Sequence, residues 1–225
     1  TKLIMVCHLV NVTGQINPIR QICDMAHARG VEVMVDGAHA VAQFQFKISD
    51  LNCDYYGASL HKWLAVPLGV GILHVRKEKI SQIWPLLAEE GVPLTDIKHL
   101  NHVGTIPVYT DLAVDDAIDF YEKLGPARKE ERLRYLQNYW TTKVRAIPRV
   151  RLHHPADPTK SCAIANVGID GIKPSILAER LMKEYKIFTV AIDGGNIHGC
   201  RITPNVFTTP RELDVLVKAI SELVS

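Results

Sequence analysis

One acidic and one basic residue follow two apolar segments in the first third of this chain. Asp36 comes directly after the run Val31–Val35, and Lys62 follows the short run Asp54–Ala58 after a brief link. The carboxyl ends of strands in an open α/β sheet face a crevice where ligands bind. Asp36 and Lys62 are therefore expected to share one site, although they are far apart in the sequence.

This pair predicts pyridoxal phosphate as the ligand. A lysine amine forms a Schiff base with a carbonyl group, and a carboxylate holds the proton of a pyridine nitrogen through a charge-assisted hydrogen bond. The protonated ring absorbs the electron pair left when an amino acid loses its α-proton, and the released lysine amine carries that proton. On spacing alone, a helix-capping Asp36 and a surface Lys62 are an equally good interpretation.

Three further polar side chains lie close to this pair in the sequence. His39 is able to stack on a cofactor ring or to bond its phenolic oxygen, although a lone histidine in an alanine-rich turn more often packs or caps. Ser59 and His61 precede Lys62 in the order Ser-Leu-His-Lys. Both are able to donate hydrogen bonds to a phosphate, although the Ser-x-His pattern alone is common.

Two more candidates lie later in the chain. Thr105 follows Gly104 at the end of a long loop, and its hydroxyl with a free backbone N–H would form a phosphate clip; an ordinary turn is the alternative. Arg201 lies in a short alternating segment, and a bidentate arginine suits a substrate carboxylate. The alternative for Arg201 is a surface residue of a strand.

A metal site and a cysteine nucleophile are not predicted. His153 and His154 point to opposite faces of a strand, so they form a poor ligand set with Asp157. Cys200 has no obvious base beside it. The chain contains five cysteines and no CxxC pair, which argues against a zinc site or a disulfide framework and fits a reducing compartment.

Composition places the chain among ordinary soluble globular proteins, and a cytoplasmic location is expected. Of the 225 residues, 47% are hydrophobic and 22% are charged, and the net charge is +2, so nothing favours a nucleic-acid partner. No apolar run reaches the roughly 18 residues of a membrane span, and no signal peptide is recognisable at the start. The chain begins without methionine in a strand-like run, which suggests a start within a sheet.

The first half of the sequence predicts a parallel α/β unit. Apolar strand patterns alternate with a helix that has Pro18 at its start and Gly30 at its end, which is a βαβ arrangement. The short link before the fourth strand makes an antiparallel pairing possible. The predicted elements are strands Leu3–Val10, Val31–Val35, Asp54–Ala58 and Gly69–Val75, helix Ile19–Arg29, a short helix or loop Val41–Leu51, and helix Arg76–Trp84.

The second half predicts helices followed by a small α+β domain. After a long loop, Pro85–Pro107, the order of patterns becomes β-β-α-β-β-α, which is typical of an antiparallel sheet covered by helices. The predicted domains are residues 1–147 and 148–225. The elements are helices Val108–Leu124, Ala127–Ala146, Pro174–Tyr185 and Pro210–Val224, and strands Val150–His153, Cys162–Val167, Phe188–Ile192 and His198–Ile202.

Taken together, these motifs resemble class V of the fold-type I pyridoxal-phosphate enzymes, and most of all the isopenicillin N epimerase-like group. The stretch from His61 to Leu73 looks like that group's HKW…P.G.G.L signature, and histidine at 39 suits it, whereas desulfurases usually carry glutamine. No cysteine lies in a flexible loop ahead of Arg201, which disfavours a desulfurase. The motifs are Val35-Asp36-Gly37-Ala38-His39, Asp54-Tyr55-Tyr56, His61-Lys62, Gly104-Thr105 and Arg201-Ile202-Thr203-Pro204.

The resemblance implies a role for each candidate residue. Lys62 would carry the cofactor as a Schiff base and remove the α-proton, giving a quinonoid intermediate. Thr105 would reach the phosphate held by a neighbouring subunit, which implies a homodimer with shared sites. The other implied roles are Asp36 at the ring nitrogen, His39 at the ring oxygen, Ser59 and His61 at the phosphate, and Arg201 at the carboxylate of an amino-acid substrate.

The resemblance also implies that the chain is the C-terminal part of a longer enzyme. The part of the large domain that supplies the glycine-rich phosphate loop and the residue stacked on the ring is missing. An α/β fold is expected, formed by the C-terminal part of a large domain and a small α+β domain. The reaction stays open between epimerase, C–S lyase and aminotransferase, and a truncated, non-catalytic fragment or dimerisation module is an alternative of another class.

Overall fold

The computed structural model describes residues 1–87, 91–101 and 104–224. Two compact units make up the chain. The first unit comprises Thr1–His8 and Pro18–Leu124, and the second comprises Leu9–Asn17 and Gly125–Ser225. The predicted domain boundary at 147/148 stays a prediction, because compact units within one chain do not test where the domains of a family divide.

The first unit contains a four-stranded sheet in the order β1-β2-β3-β4. The first three strands are parallel, and β4 is antiparallel to β3. The predicted antiparallel pairing of the fourth strand is therefore confirmed. The elements of this unit are β1 Leu3–Cys7, α1 Ile19–His27, β2 Glu32–Asp36, α2 Ile48–Leu51, β3 Tyr55–Ser59, β4 Gly71–Val75, α3 Lys77–Ile80 and α4 Val108–Leu124.

Helix α1 covers one face of the parallel strands. Its apolar residues Ile19, Cys23 and Ala26 recur at the spacing of one helix face and are buried. They share a core with Val33 and Val35, the alternate residues of β2 that point to the same side. This packing fixes the β1-α1-β2 connection and thereby the point where β2 ends.

A buried carboxylate ties α1 to the beginning of the strands. Asp54 Oδ2 accepts a hydrogen bond from the Val33 backbone N–H and lies 2.8 Å from His27 Nε2. Burial by itself would raise the pKa of Asp54, but these two hydrogen bonds hold its pKa below the usual value. The pair lies at the opposite end of the strands from Asp36 and is structural.

Three predicted elements are shorter in the structure. The first strand ends at Cys7 rather than Val10, and a tight loop closed by the Gly14 N–H bond to Val10 O follows. The helix predicted at residues 76–84 is only α3, because Trp84, which would continue the apolar stripe begun by Ile80, is exposed rather than packed. The helix or loop predicted from residue 41 becomes helical only at α2.

The second unit contains an antiparallel sheet in the order β5-β6-β8-β7. Its helices form one core with the sheet, in which Trp140 and Leu181 are fully buried. The predicted α+β arrangement of this part is thus observed. The elements of the unit are α5 Pro126–Val144, β5 Val150–Leu152, β6 Ala165–Ile169, α6 Pro174–Tyr185, β7 Val190–Gly194, β8 Ile197–Ile202 and α7 Pro210–Val224.

Alternate residues of β6 and β8 divide between the two faces of this sheet. Ala165 and Val167 of β6 and Cys200 of β8 belong to the core. Because side chains alternate along a strand, Asn166 and Arg201 lie on the face away from that core.

No helix in the described part of the chain has the length and apolar character needed to cross a membrane.

Candidate active site

Asp36 is the last residue of β2 and lies between the ends of its two neighbouring strands. It is paired in register with Cys7 of β1 and with Gly57 of β3. Its Oδ1 accepts a hydrogen bond of 2.9 Å from the Ala38 N–H, and the Cys7 thiol lies 3.8 Å from Oδ2. Burial and the nearby carboxylate raise the pKa of Cys7, so the thiol stays protonated beside Asp36.

The turn after Asp36 is fixed by close packing. A Cβ added to Gly37 would lie 2.1 Å from Tyr56 Oη, so the backbone approaches the phenol in a way that only glycine permits. Tyr56 Oη is 3.0 Å from His8 Nδ1, and the His8 backbone N–H donates to Asp36 O. His8 and Tyr56 thus support the turn. Tyr56 belongs to the motif Asp54-Tyr55-Tyr56, whereas no sequence pattern singles out His8, because its contacts are long-range.

Burial keeps this supporting pair neutral. The His8 ring contacts the rings of Phe44, Phe46 and Tyr56, and desolvation lowers its pKa to about 4. The same effect raises the pKa of Tyr56. At neutral pH, therefore, no charge competes with the Asp36 carboxylate from this side.

His39 is connected to the lysine loop through an indole. Trp63 Nε1 donates a hydrogen bond of 3.4 Å to His39 Nδ1, and the Gln43 amide donates to the His39 backbone carbonyl. Nδ1 thus accepts a hydrogen bond, so a neutral His39 carries its own proton on Nε2. Trp63 belongs to the HKW signature, but its contact with His39 is not apparent from the sequence.

The loop that carries Lys62 is anchored by buried neighbours. Leu60, Trp63 and Leu64 are buried, and the Leu60 N–H donates to Val70 O. Within the described ranges, no hydrogen bond or ion pair engages the half-buried Lys62 amine. The anchors therefore fix the backbone and leave this amine available for covalent chemistry.

His61 carries a buried nitrogen that lacks a partner. Its Nδ1 has no hydrogen bond to any residue that the structure describes. Unpaired buried polar atoms are uncommon in native proteins, and such an atom is satisfied when a ligand supplies the missing group. His61 directly precedes Lys62 in the sequence.

A cavity of about 220 Å³ lies at the ends of the first three strands. It is smaller than the roughly 300–1,000 Å³ of most ligand pockets, so it would accommodate one side of a small planar ligand. The residues that line it are Met5, Met34, Val35, Asp36, Ala38, Gly57, Ala58 and Ser59. The structure thus brings Asp36 and Ser59 to one cavity.

Thr105 and Arg201 are not among the residues that line this cavity. Thr105 belongs to the first unit, is exposed and follows Gly104, which has a positive φ of 73°; it does not line the cavity. Arg201 belongs to the second unit. There its Nη1 donates a 3.3 Å hydrogen bond to Asn11 O, and its buried Nε has no partner in the described part of the chain.

The structure contains neither a metal-binding group nor an activated thiol among the residues it describes. It brings together no three His, Cys, Asp or Glu side chains that could hold a metal. All five cysteines are free. Burial raises the pKa of Cys162 to about 12 and also raises the pKa of Cys200, so both thiols are poor nucleophiles at neutral pH.

The fold is that of the fold-type I pyridoxal-phosphate transferases, which defines the class of protein. The chain is similar to a cysteine desulfurase structure from Thermococcus onnurineus NA1, with a TM-score of 0.87 and 22% identity, over 99% of this chain and 60% of that one. A cysteine desulfurase structure from Escherichia coli gives a TM-score of 0.82 at 22% identity, over 98% of this chain and 58% of that one. The predicted α/β fold, with part of a large domain and a small α+β domain, is confirmed.

The chain belongs to the aminotransferase class-V family, whose match spans residues 1–203. It is 29% identical to isopenicillin N epimerase of Streptomyces clavuligerus and 30% identical to that of Amycolatopsis lactamdurans, in both cases over 99% of this chain and 60% of the relative. It is 24% identical to a probable cysteine desulfurase of Halalkalibacterium halodurans, over 99% of this chain and 58% of the relative. The chain thus spans about 60% of the length of these relatives. The family comprises pyridoxal-phosphate enzymes.

Proposed function

We propose that the protein is a pyridoxal-phosphate enzyme that acts on an amino acid or amino-acid derivative, in the manner of the isopenicillin N epimerase-like group. The observation that carries the proposal is the pairing of two features. A carboxylate with neutral supporting partners ends β2, and an uncommitted lysine amine follows β3. Since the chain spans about 60% of its relatives, the activity, substrate and partners are proposed for the protein as a whole.

The residues present fit the cofactor. The His61 nitrogen without a partner suits a phosphate oxygen, and Ser59 lines the same cavity as Asp36. Among the described residues, Asp36 Oδ2 has the weak Cys7 thiol as its donor, and a protonated pyridine nitrogen would be a stronger one. When bound, pyridoxal phosphate supplies an electron sink for the pair left at an amino acid's α-carbon.

Each side chain then has a defined task. Asp36 holds the proton of the pyridine nitrogen by a charge-assisted hydrogen bond. Lys62 would hold the cofactor through its amine, and the same amine would move the α-proton of a substrate. His39 would bond the ring oxygen, and its Nδ1 accepts the Trp63 indole N–H. Arg201 takes the substrate carboxylate.

Epimerisation is the preferred reaction, with C–S lysis and transamination as alternatives. Similarity to two isopenicillin N epimerases supports it. The thiol chemistry of a desulfurase is disfavoured for this chain, because burial raises the pKa of both Cys162 and Cys200. An assay of amino acids for inverted product, keto acid and pyruvate distinguishes the three reactions.

A homodimer is part of the proposal. Thr105 would reach the phosphate in a second copy of the chain. The exposed apolar side chains on α4, among them Tyr109, Leu112 and Phe120, support an interface close to Thr105 in the sequence, since contiguous apolar surface usually marks an interaction site.

The absorbance of the purified chain with pyridoxal phosphate tests the proposal. A near-ultraviolet to visible band is expected for wild type, should be lost in Lys62→Ala, and should persist in Lys77→Ala, which changes an exposed lysine of α3. Identical spectra for wild type and Lys62→Ala would rule out the assignment of Lys62. Absence of the band in every variant would favour the non-catalytic alternative for this chain.

A further inference from the structure

Several buried polar atoms without a hydrogen-bond partner among the described residues lie on the face of the second unit's sheet that points away from its core. Asn166 is fully buried, and neither its Nδ2 nor its Oδ1 has a hydrogen-bond partner among the described residues. The buried Nε of Arg201 is unpaired as well. Such atoms are rare in native proteins and each calls for a functional or structural reason.

These atoms belong to neighbouring residues. Asn166 of β6 and Arg201 of β8 are directly opposite in the antiparallel register. Residues paired in this way point to the same face, with Cβ atoms about 4.5–5.5 Å apart. The amide of Asn166 and the guanidinium stem of Arg201 therefore lie side by side, with an acceptor and a donor that both lack partners.

Glycine at position 199 makes room for the Asn166 amide. A Cβ added to Gly199 would lie 2.4 Å from Asn166 Oδ1 and 2.5 Å from the Val167 carbonyl oxygen. The amide thus rests on the β8 backbone two residues before Arg201.

Contacts from the described residues hold Arg201 at one end of its guanidinium. Nη1 donates one hydrogen to Asn11 O at 3.3 Å, whereas Nε finds no acceptor in that part of the chain. A bidentate contact with a carboxylate requires the guanidinium plane to be fixed. A second anchor at Nε would fix that plane and leave the remaining hydrogens of both Nη atoms for a ligand.

We propose that Asn166 is a positioning residue that orients Arg201 for a carboxylate. On ligand binding, Asn166 Oδ1 accepts the Nε–H hydrogen bond, Asn11 O keeps its bond to Nη1, and the carboxylate takes the Nη1–Nη2 edge. The inference rests on the proposed role of Arg201. A neutral amide suits this task, because an aspartate at 166 would cancel the charge that attracts the ligand.

Propionate is a suitable probe, because it carries a carboxylate but no amine that could react with the cofactor. Its binding to the cofactor-loaded protein is followed by ¹⁵N NMR at the arginine Nε–H signals, and the Arg201 signal is assigned by its loss in Arg201→Lys. On saturation, this signal should shift and its hydrogen exchange should slow, because Nε–H gains an acceptor. Unchanged exchange in wild type at saturating propionate would overturn the proposal without any Asn166 variant.

Variants measure the contribution of the amide. Asn166→Ala should raise the dissociation constant of propionate about tenfold, the size expected for one hydrogen bond to a charged group. Asn166→Asp should weaken binding further at pH 7 by neutralising Arg201. Asn138→Ala removes an exposed amide of α5 and should bind as wild type, with folding of each variant checked by circular dichroism.

The outcomes separate this inference from the proposed function. A dissociation constant for Asn166→Ala within twofold of wild type contradicts the positioning role alone. Equal propionate binding by Arg201→Lys and wild type contradicts the role of Arg201 as the carboxylate site. Absence of the cofactor absorbance band in wild type would count against the role of Lys62. The band is measured separately from propionate binding.

Discussion

At the scale of single residues, environment separates side chains of one type. His8 is buried and neutral and supports Tyr56, His39 accepts an indole N–H, and His61 presents an unpaired nitrogen. Spacing from Asp36 and Lys62 is enough to predict His39 and His61 as candidates. The role of His8 is not predictable in this way, because it depends on contacts with distant aromatic residues.

Replacement of Asp36 tests the charged partner of the ring nitrogen. Asp36→Asn keeps the shape of the side chain but removes its charge, so exchange of a substrate's α-hydrogen with D₂O should slow roughly 10²–10³-fold, the usual effect of losing one electrostatic contact. Proton NMR in D₂O measures the rate. Asp50→Asn, an exposed change in α2, serves as the control, and an unaltered rate in Asp36→Asn would refute the assigned role.

The lowered pKa of His8 predicts a pH-dependent stability. The unfolded chain binds a proton at about pH 6.5, whereas folded His8 does so only at about 4. Unfolding therefore takes up a proton between these values, and stability falls as pH decreases from about 6.5 to about 4. The slope from this group approaches roughly 1.4 kcal/mol per pH unit.

Urea denaturation at several pH values measures this slope. His8→Gln should remove about one proton from the uptake, and His74→Gln, at an exposed position of β4, should leave the slope unchanged. Equal slopes for His8→Gln and wild type between pH 4 and 6.5 would show that His8 does not cause it.

At the scale of elements, the sequence predicts the bounds of those helices whose ends depend on local residue patterns. Helices α4, α6 and α7 have the predicted bounds, because apolar periodicity and proline mark them. Helices α2 and α3 have four residues each and are shorter than predicted, because tertiary packing rather than the local pattern determines where they begin and end. Asn166 is not predictable as a functional residue from the sequence, because its proposed role depends on Arg201, which lies opposite it on the neighbouring strand.

The turn after β2 gives a sharp steric test. Gly37→Ala places a Cβ about 2.1 Å from Tyr56 Oη, so the turn must shift, with an expected destabilisation of about 1–3 kcal/mol for overpacking. Gly57→Ala is the matched control, because nothing lies within 4 Å of its added Cβ. Urea denaturation compares them.

The same turn carries Asp36, so Gly37→Ala should also weaken cofactor binding. Combining it with Tyr56→Leu should recover part of the lost stability by removing the phenol oxygen. If Gly37→Ala and Gly57→Ala are equally stable, the packing of the turn against Tyr56 does not restrain it.

At the scale of the whole molecule, self-association is the property to measure. Tyr109, Leu112 and Phe120 of α4 are exposed and recur at spacings that place them on one side of the helix. Analytical ultracentrifugation should detect a dimer. Leu112→Glu should raise the dimer dissociation constant about 30-fold or more, as for loss of an interface hot spot.

A polar control on the same helix completes this test. Glu122→Ala changes an exposed polar residue of α4 and should leave the association unchanged. A monomeric wild type, or equal association of wild type and Leu112→Glu, would contradict an interface on this helix and with it the proposed role of Thr105 in a second copy.

The most direct test of the central claim is to identify the residue that bonds the cofactor. The protein is incubated with pyridoxal phosphate, reduced with borohydride and digested, and the modified peptide is located by mass spectrometry. The account predicts the modification on Lys62 at a stoichiometry near one per chain, and its loss in Lys62→Ala but not in Lys77→Ala. Modification spread over several surface lysines, or unchanged in Lys62→Ala, would contradict it.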